Sequence, residues 1–223
     1  MAFAEATPVL MPPTVCQRLK KRKLALFGMA LITLTVFGAL FAPYLTPYEP
    51  NDQMFDGLTL QGAPMAPGGQ FALGTDLLGR DLLTRILYGA RTSLIIGVLA
   101  NGVALIIGTF VGVTAGYFGG VWGNMLMRFT DLMMAFPALL LAICLAAIFQ
   151  PSLWIVAMVI ATVNWVQTAR VLYAETASLS QREFIAAERT LGAGNMRILF
   201  RHILPHLTPT IIVWGTLGIS TTV

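Results

Sequence analysis

Residues 24–48, 92–127 and 132–169 of this 223-residue chain contain no Asp, Glu, Lys or Arg. Segments this long and apolar meet their backbone hydrogen-bonding needs as helices inside a lipid bilayer, where no water is available to do so. A hydrocarbon core of about 30 Å needs about 20 helical residues at 1.5 Å each. The first run has an apolar core over residues 24–45 and supplies one span. The second is 36 residues long, too long for one crossing. Gly116, Gly119, Gly120 and Gly123 place a turn near its end and leave a helix over 92–115. The third run, 38 residues, is interrupted by Gln150, Pro151 and Ser152. Proline opens helices and keeps the residue before it out of helical geometry, so a tight hairpin joins two antiparallel spans, 125–149 and 153–171. A last apolar run, 207–223, reads as an incomplete fifth span.

Composition agrees with this class. Charged residues make up 11% of the chain, against about 25% in soluble proteins. The net charge of +4 does not point to nucleic acid, because five of the fourteen basic residues crowd into residues 18–23 and no basic surface interleaved with aromatics follows. The first apolar run is longer than a signal-peptide core and has no Ala-x-Ala site, so it reads as a retained anchor. Cys16 and Cys144 lack zinc-type spacing and read as free thiols, behaving as small hydrophobes.

Orientation follows from the positive-inside rule. With a cytoplasmic amino terminus (the basic segment 1–23), eleven basic residues fall on the cytoplasmic side and Arg80, Arg85 and Arg91 on the other. The external segment 46–91 begins as a Pro- and Gly-rich loop. In its second half Thr75 is an N-cap candidate, and Asp76/Arg80 and Asp81/Arg85 stand at i,i+4. Leu78, Leu82 and Ile86 then predict an amphipathic helix on the outer leaflet. Its charged residues, Asp76, Arg80, Asp81 and Arg85, are the candidate surface for an extracytoplasmic partner. In the second span Gly108, Gly112, Gly116 and Gly120 recur every four residues, a face on which another helix can pack closely.

The segment 172–205 is polar, and residues 183–205 read EFIAAERTLGAGNMRILFRHILP. Phe184, Ala187 and Leu191 form one apolar stripe; Met196, Leu199, Phe200 and Ile203 form another. Two short helices are expected, separated at Gly192-Ala193-Gly194, where glycine provides the positive φ of a helix C-cap. The second ends at Pro205. Such an elbow can lie on lipid headgroups through its arginines or seat in another protein.

The string resembles the cytoplasmic EAA loop of bacterial ABC importer permeases. Ala186, Ala187 and Glu188 stand at the Glu-Ala-Ala triplet, Gly192 at its glycine, and Leu204 and Pro205 at its closing pair. Ala186 replaces the usual Glu, Glu188 the second Ala, and His202 the Ile of the general pattern. Four further segments are similar to the C-type permease subunit of the dipeptide, oligopeptide and nickel importers: LGTDLLGRDLLTRILYGARTSL, AGYFGG, LMRFTDLMMAFPALLLAI, and Trp165 with Ala169-Arg170. Gly123 stands where that family usually has Asp.

The resemblance implies an all-α, polytopic transmembrane bundle of the type I ABC importer permease fold in the bacterial inner membrane. It also implies a homologous second permease, two cytoplasmic ATPases and an extracytoplasmic binding protein as partners, with lipid around them. On that pattern Phe184, Ala187 and Leu191 seat in the ATPase, Ala186 belongs to the same ATPase-coupling segment, Gly192 permits the close turn, Glu188 and Arg189 supply rim charges, and Leu204 and Pro205 pass movement to the fifth span.

The chain itself is not expected to be an enzyme. Its lysines are Lys20, Lys21 and Lys23, so no P-loop lysine follows the first span and ATP is used by partner subunits. No resident cofactor is expected. His202 and His206 stand at i,i+4 with Pro205 between them and no third ligand nearby, so no metal site is expected. Asp131 and Glu175 read as helix caps or partners of Arg128 and Arg170. The alternative function is a self-contained channel or secondary transporter, which would place ionisable residues inside its spans; the central parts of these spans have none.

Overall fold

The computed structural model describes residues 22–150 and 152–223. Cys16, the basic residues Arg18, Lys20 and Lys21, and Pro151 of the expected hairpin lie outside the described residues. The described residues fall into two compact units that meet in sequence at Arg91 and Thr92.

In the first unit, α1 (Lys23–Leu40) is followed after Phe41 by the short α2 (Ala42–Leu45). Pro43, which has no N–H, lies in the first turn of α2, where no intrahelical donor is needed. Residues 46–81 form a compact loop closed through buried Thr75, whose hydroxyl donates to Gly57 O and accepts from Met65 N. Phe71, fully buried, packs near Tyr48.

The helix expected to start from Thr75 does not begin there. Residues 75–81 form a turn, and α3 (Leu82–Phe118) begins only after it as one 37-residue helix. Asp81 is the capping residue: its Oδ2 accepts from Thr84 N at 2.7 Å and Thr84 Oγ1 at 2.6 Å. It is only 4% exposed, which withdraws it from the expected charged surface. The Asp81–Arg85 pair is replaced by one to Asp76, whose carboxylate binds Arg80 at 2.8 Å and also Arg85. Charge pairing by helical spacing missed this because Asp76 sits in a turn that folds back over the helix start.

In the second unit, α3 turns sharply at Gly119 and Gly120, both with positive φ, into α4 (Gly120–Ala135). Next come α5 (Ala138–Ile148), α6 (Leu153–Ser180), α7 (Glu183–Thr190), α8 (Asn195–Ile198), a π-helical segment (Leu199–Ile203) and α9 (Leu204–Thr222). The stretch 125–149, expected as one span, is bent by 83° between α4 and α5. Pro137 is the cause: Phe136 before it is extended, with ψ 129°, as the proline ring demands of its predecessor. Among the described residues four helices are long and apolar enough to cross a membrane, and five if the bent pair is one span. Ser152 caps α6 by accepting from Ile155 N.

The glycine face packs as its spacing predicts at three of four positions. A Cβ on Gly112 would stand 2.4 Å from Ala169 O, and on Gly108 or Gly116 2.7 Å from α6 atoms. The α3 and α6 backbones therefore touch, with dispersion contacts replacing the hydrophobic effect that lipid removes. Gly120 faces open space. Gly123 lies against α3, where a Cβ would come 2.6 Å from Ala115 O. Between α4 and α6, Trp165 stacks on the exposed Phe129 at 6.0 Å, and Arg170 of α6 pairs at the surface with Asp131 of α4. Cys144 is an exposed free thiol on α5.

Candidate functional site

The elbow is built around a helix C-terminus. After α7, Ala193 N donates to Glu188 O and Gly192 N to Arg189 O, both at 3.0 Å. This crossed pair is a Schellman motif, and it needs a left-handed residue where Gly192 stands, φ 82°. The chain then re-enters a helix at Asn195.

That second helix does not stop at Pro205, contrary to expectation. It widens over Leu199–Ile203, where Leu204 N reaches back five residues to Leu199 O, and continues as α9. The wider turn lies just before a residue that lacks an N–H and would crowd a regular helix. Elbow and last span are thus one continuous helical element. Pro205 accordingly leaves His202 and His206 in helical register, with His206 Nδ1 2.7 Å from His202 O.

The widening also divides the expected second stripe. Ile198, Leu199, Ile203 and Leu207 are buried with Val113, Tyr117 and Leu172, while Met196 and Phe200 are 66% and 65% exposed. In α7 the buried residue is Ile185, which the stripe of Phe184, Ala187 and Leu191 did not include. Those three face outward, Leu191 at 84% exposed. Ala186 is also exposed, Leu204 half-buried and Pro205 exposed.

Polar contacts tie α7 to its surroundings. Glu188 Oε1 lies 3.3 Å from His202 Nε2, and the Phe184 ring stacks on His206 at 5.4 Å. Arg189 sits over the Tyr117 ring at 5.3 Å, while the Tyr117 hydroxyl and Asn195 Oδ1 are 3.0 Å apart. Glu188 and Arg189, expected as rim charges, are thus already engaged within the chain. Sequence reading missed Tyr117, Asn195 and His206 because each acts across a long separation; the AGYFGG segment was the one local signal for Tyr117.

Two further contacts link the last helix to the others. Thr210 donates to Glu175 Oε1 at 2.9 Å, so Glu175 pairs with α9 instead of with Arg170. Asn101 Nδ2 donates to Gly97 O and to Thr222 Oγ1, both at 2.8 Å.

A helical polytopic membrane protein with a structured elbow leading into the apolar helix α9 is the class these features define. Residues 108–221 match the family described as binding-protein-dependent transport system inner membrane component, and residues 14–63 match the N-terminal TM domain of oligopeptide transport permease C. The chain belongs to the family of binding-protein-dependent transport system inner membrane components, which are multi-pass permease subunits and not catalytic enzymes. It is 44% identical over 208 residues to the dipeptide transport system permease protein DppC of Alkalihalophilus pseudofirmus, covering 93% of this chain and 66% of that one. It is 40% identical to the di/tripeptide transport system permease protein DppC of Pseudomonas aeruginosa (93% of this chain, 69% of that one). With the oligopeptide transport system permease protein OppC of Bacillus subtilis it shares 34% (92% and 66%). The chain thus spans about two thirds of the length of these relatives.

Proposed function

We propose that this chain acts as the C-type permease subunit of an ATP-driven importer of di- and oligopeptides, or of a related small substrate such as nickel, in the bacterial inner membrane. Its amino terminus and elbow face the cytoplasm, two partner ATPases bind the elbow and hydrolyse the ATP, a homologous permease completes the pathway, and an extracytoplasmic protein delivers substrate. The observation that carries this reading is the sidedness of the elbow. Ile185, Ile198 and Ile203 are buried in the chain's own core while Phe184, Ala187, Leu191, Met196 and Phe200 face away from it. An outward apolar face on a rigid support suits a protein groove.

The chain's own contacts supply a route for coupling. ATPase closure displaces α7; Phe184–His206 and Glu188–His202 pass the displacement to the root of α9. The unbroken helix carries it into the membrane, where α9 bears on α6 through Thr210–Glu175 and on α3 through Thr222–Asn101.

The test is reconstitution. The chain with its partner subunits in proteoliposomes is expected to take up radiolabelled dialanine only when ATP and the ATPases are present. Uptake by the chain in the absence of any ATPase would instead support a self-contained channel or secondary transporter.

A further inference from the structure

Asn164 and Gln167 stand three residues apart on α6, and no side-chain hydrogen bond of either is found among the described residues. Asn164 lies eleven residues into a helix that starts at Leu153, about 16 Å at 1.5 Å per residue, which is half of a 30 Å hydrocarbon core. A carboxamide presents two N–H donors and a carbonyl acceptor. Left unpaired in lipid, such groups are costly, so polar side chains at this depth face a polar cavity or a partner.

Two cavities meet at these side chains. One, of about 280 Å³ between α3, α6 and α9, is also lined by Asn101, Thr168, Trp214 and Thr221. The other, of about 340 Å³, lies between α6 and the α4–α5 bend and is lined by Met133, Pro137 and Leu141. Neither lining contains a charged residue. Asn101 is committed to Gly97 O and Thr222; Asn164 and Gln167 are not.

The geometry points to Asn164 and Gln167 as a transmembrane subsite for peptide main chain, in which the two carboxamides pair with the amide groups of the passing substrate. This rests on the importer reading above. A carboxamide is the chemical twin of a peptide bond, able to donate and accept without regard to substrate side chains. A neutral, amide-bearing wall holds a peptide backbone without trapping charge in low dielectric, where an ionic contact would be hard to release. Because the two groups border both cavities, they can hand the backbone from the α3–α9 side to the bend at Pro137.

Two measurements on the complete importer complex in proteoliposomes test this, with radiolabelled dialanine as the probe. Asn164→Leu combined with Gln167→Leu is expected to lower uptake about tenfold or more, the size of one lost hydrogen bond of about 1.4 kcal/mol. Asn164→Gln should keep most of it. Uptake by the double Leu variant at the wild-type rate would overturn the assignment. If that variant does not assemble, labelling decides: in a Cys16→Ser, Cys144→Ser background, Asn164→Cys and Gln167→Cys should react with a charged, membrane-impermeant methanethiosulfonate, more slowly during dialanine turnover. Met158→Cys, on the exposed surface of α6, should not react. No reaction at 164 and 167, or reaction unaffected by turnover, would overturn it. Failure of the importer reading itself shows separately, as absence of ATP-dependent uptake by the unmodified complex.

Discussion

Glu188 Oε1 lies 3.3 Å from His202 Nε2, and one helical turn along each partner the ring of Phe184 stacks on that of His206. The two contacts are in antiparallel register, four residues apart on both sides. They tie α7 and the root of α9 into one mechanical body.

Loosening this clasp has a specific signature. Glu188→Ala or His206→Ala alone leaves one contact, and each is expected to lower thermal stability of the purified complex modestly, by about 0.5–1 kcal/mol for partly exposed contacts. The double variant should reduce ATP-coupled uptake by more than the product of the single effects, measured in proteoliposomes, while basal ATPase activity is retained. Strictly multiplicative losses would show that the contacts do not act together.

Gly192 tests the turn. Its φ of 82° is open to glycine and tolerated by asparagine, whereas a Cβ there meets open space, so any penalty is conformational and not steric crowding. Gly192→Val is expected to cost about 1–2 kcal/mol and to uncouple ATP hydrolysis from uptake while the chain still inserts. Gly192→Asn should retain most coupling. Equal transport by both variants would contradict the account.

Much of this architecture could be read from charge gaps, because lipid accepts few charges and each polar segment therefore marks a boundary. The close α3–α6 approach was likewise legible in Gly108, Gly112 and Gly116. The start of α3 was not: Arg85 and Arg91 are charged yet helical, and the true signal, Asp81 as cap, competes with Thr75 six residues earlier. The bend at Pro137 lies inside an uninterrupted apolar run, where no polarity change announces it. Continuity through Pro205 depends on a π turn, which no residue pattern specifies. In the elbow the outward stripe was legible, but the clasp of Tyr117 with Arg189 and Asn195 joins residues too distant for any local periodicity.

The α3–α6 contact gives a prediction with an internal control. Gly112→Leu must displace the Ala169 backbone and is expected to cost about 1–3 kcal/mol or more by overpacking, seen as lower yield and melting temperature of the detergent-solubilised protein. Gly102→Ala, in the same helix with nothing within 4 Å of its added Cβ, should be neutral or slightly stabilising.

The buried cap makes the loop 46–81 sensitive to a single side chain. Asp81→Ala removes the acceptor for Thr84 N and Oγ1 and should cost about 1–2 kcal/mol, read as faster limited proteolysis of that loop. Asp81→Asn, which keeps an acceptor oxygen, should lie close to wild type.

The most direct test of the elbow as ATPase socket is retention of the ATPases by the purified complex after Leu191→Asp. Leu191 is 84% exposed and outside the elbow's core, so the change leaves the chain's own packing intact and places a charge where an apolar groove would have to accept it. The account predicts that both permease subunits still insert and co-purify while the ATPases are lost and dialanine uptake ceases. Full ATPase retention with normal uptake would contradict it.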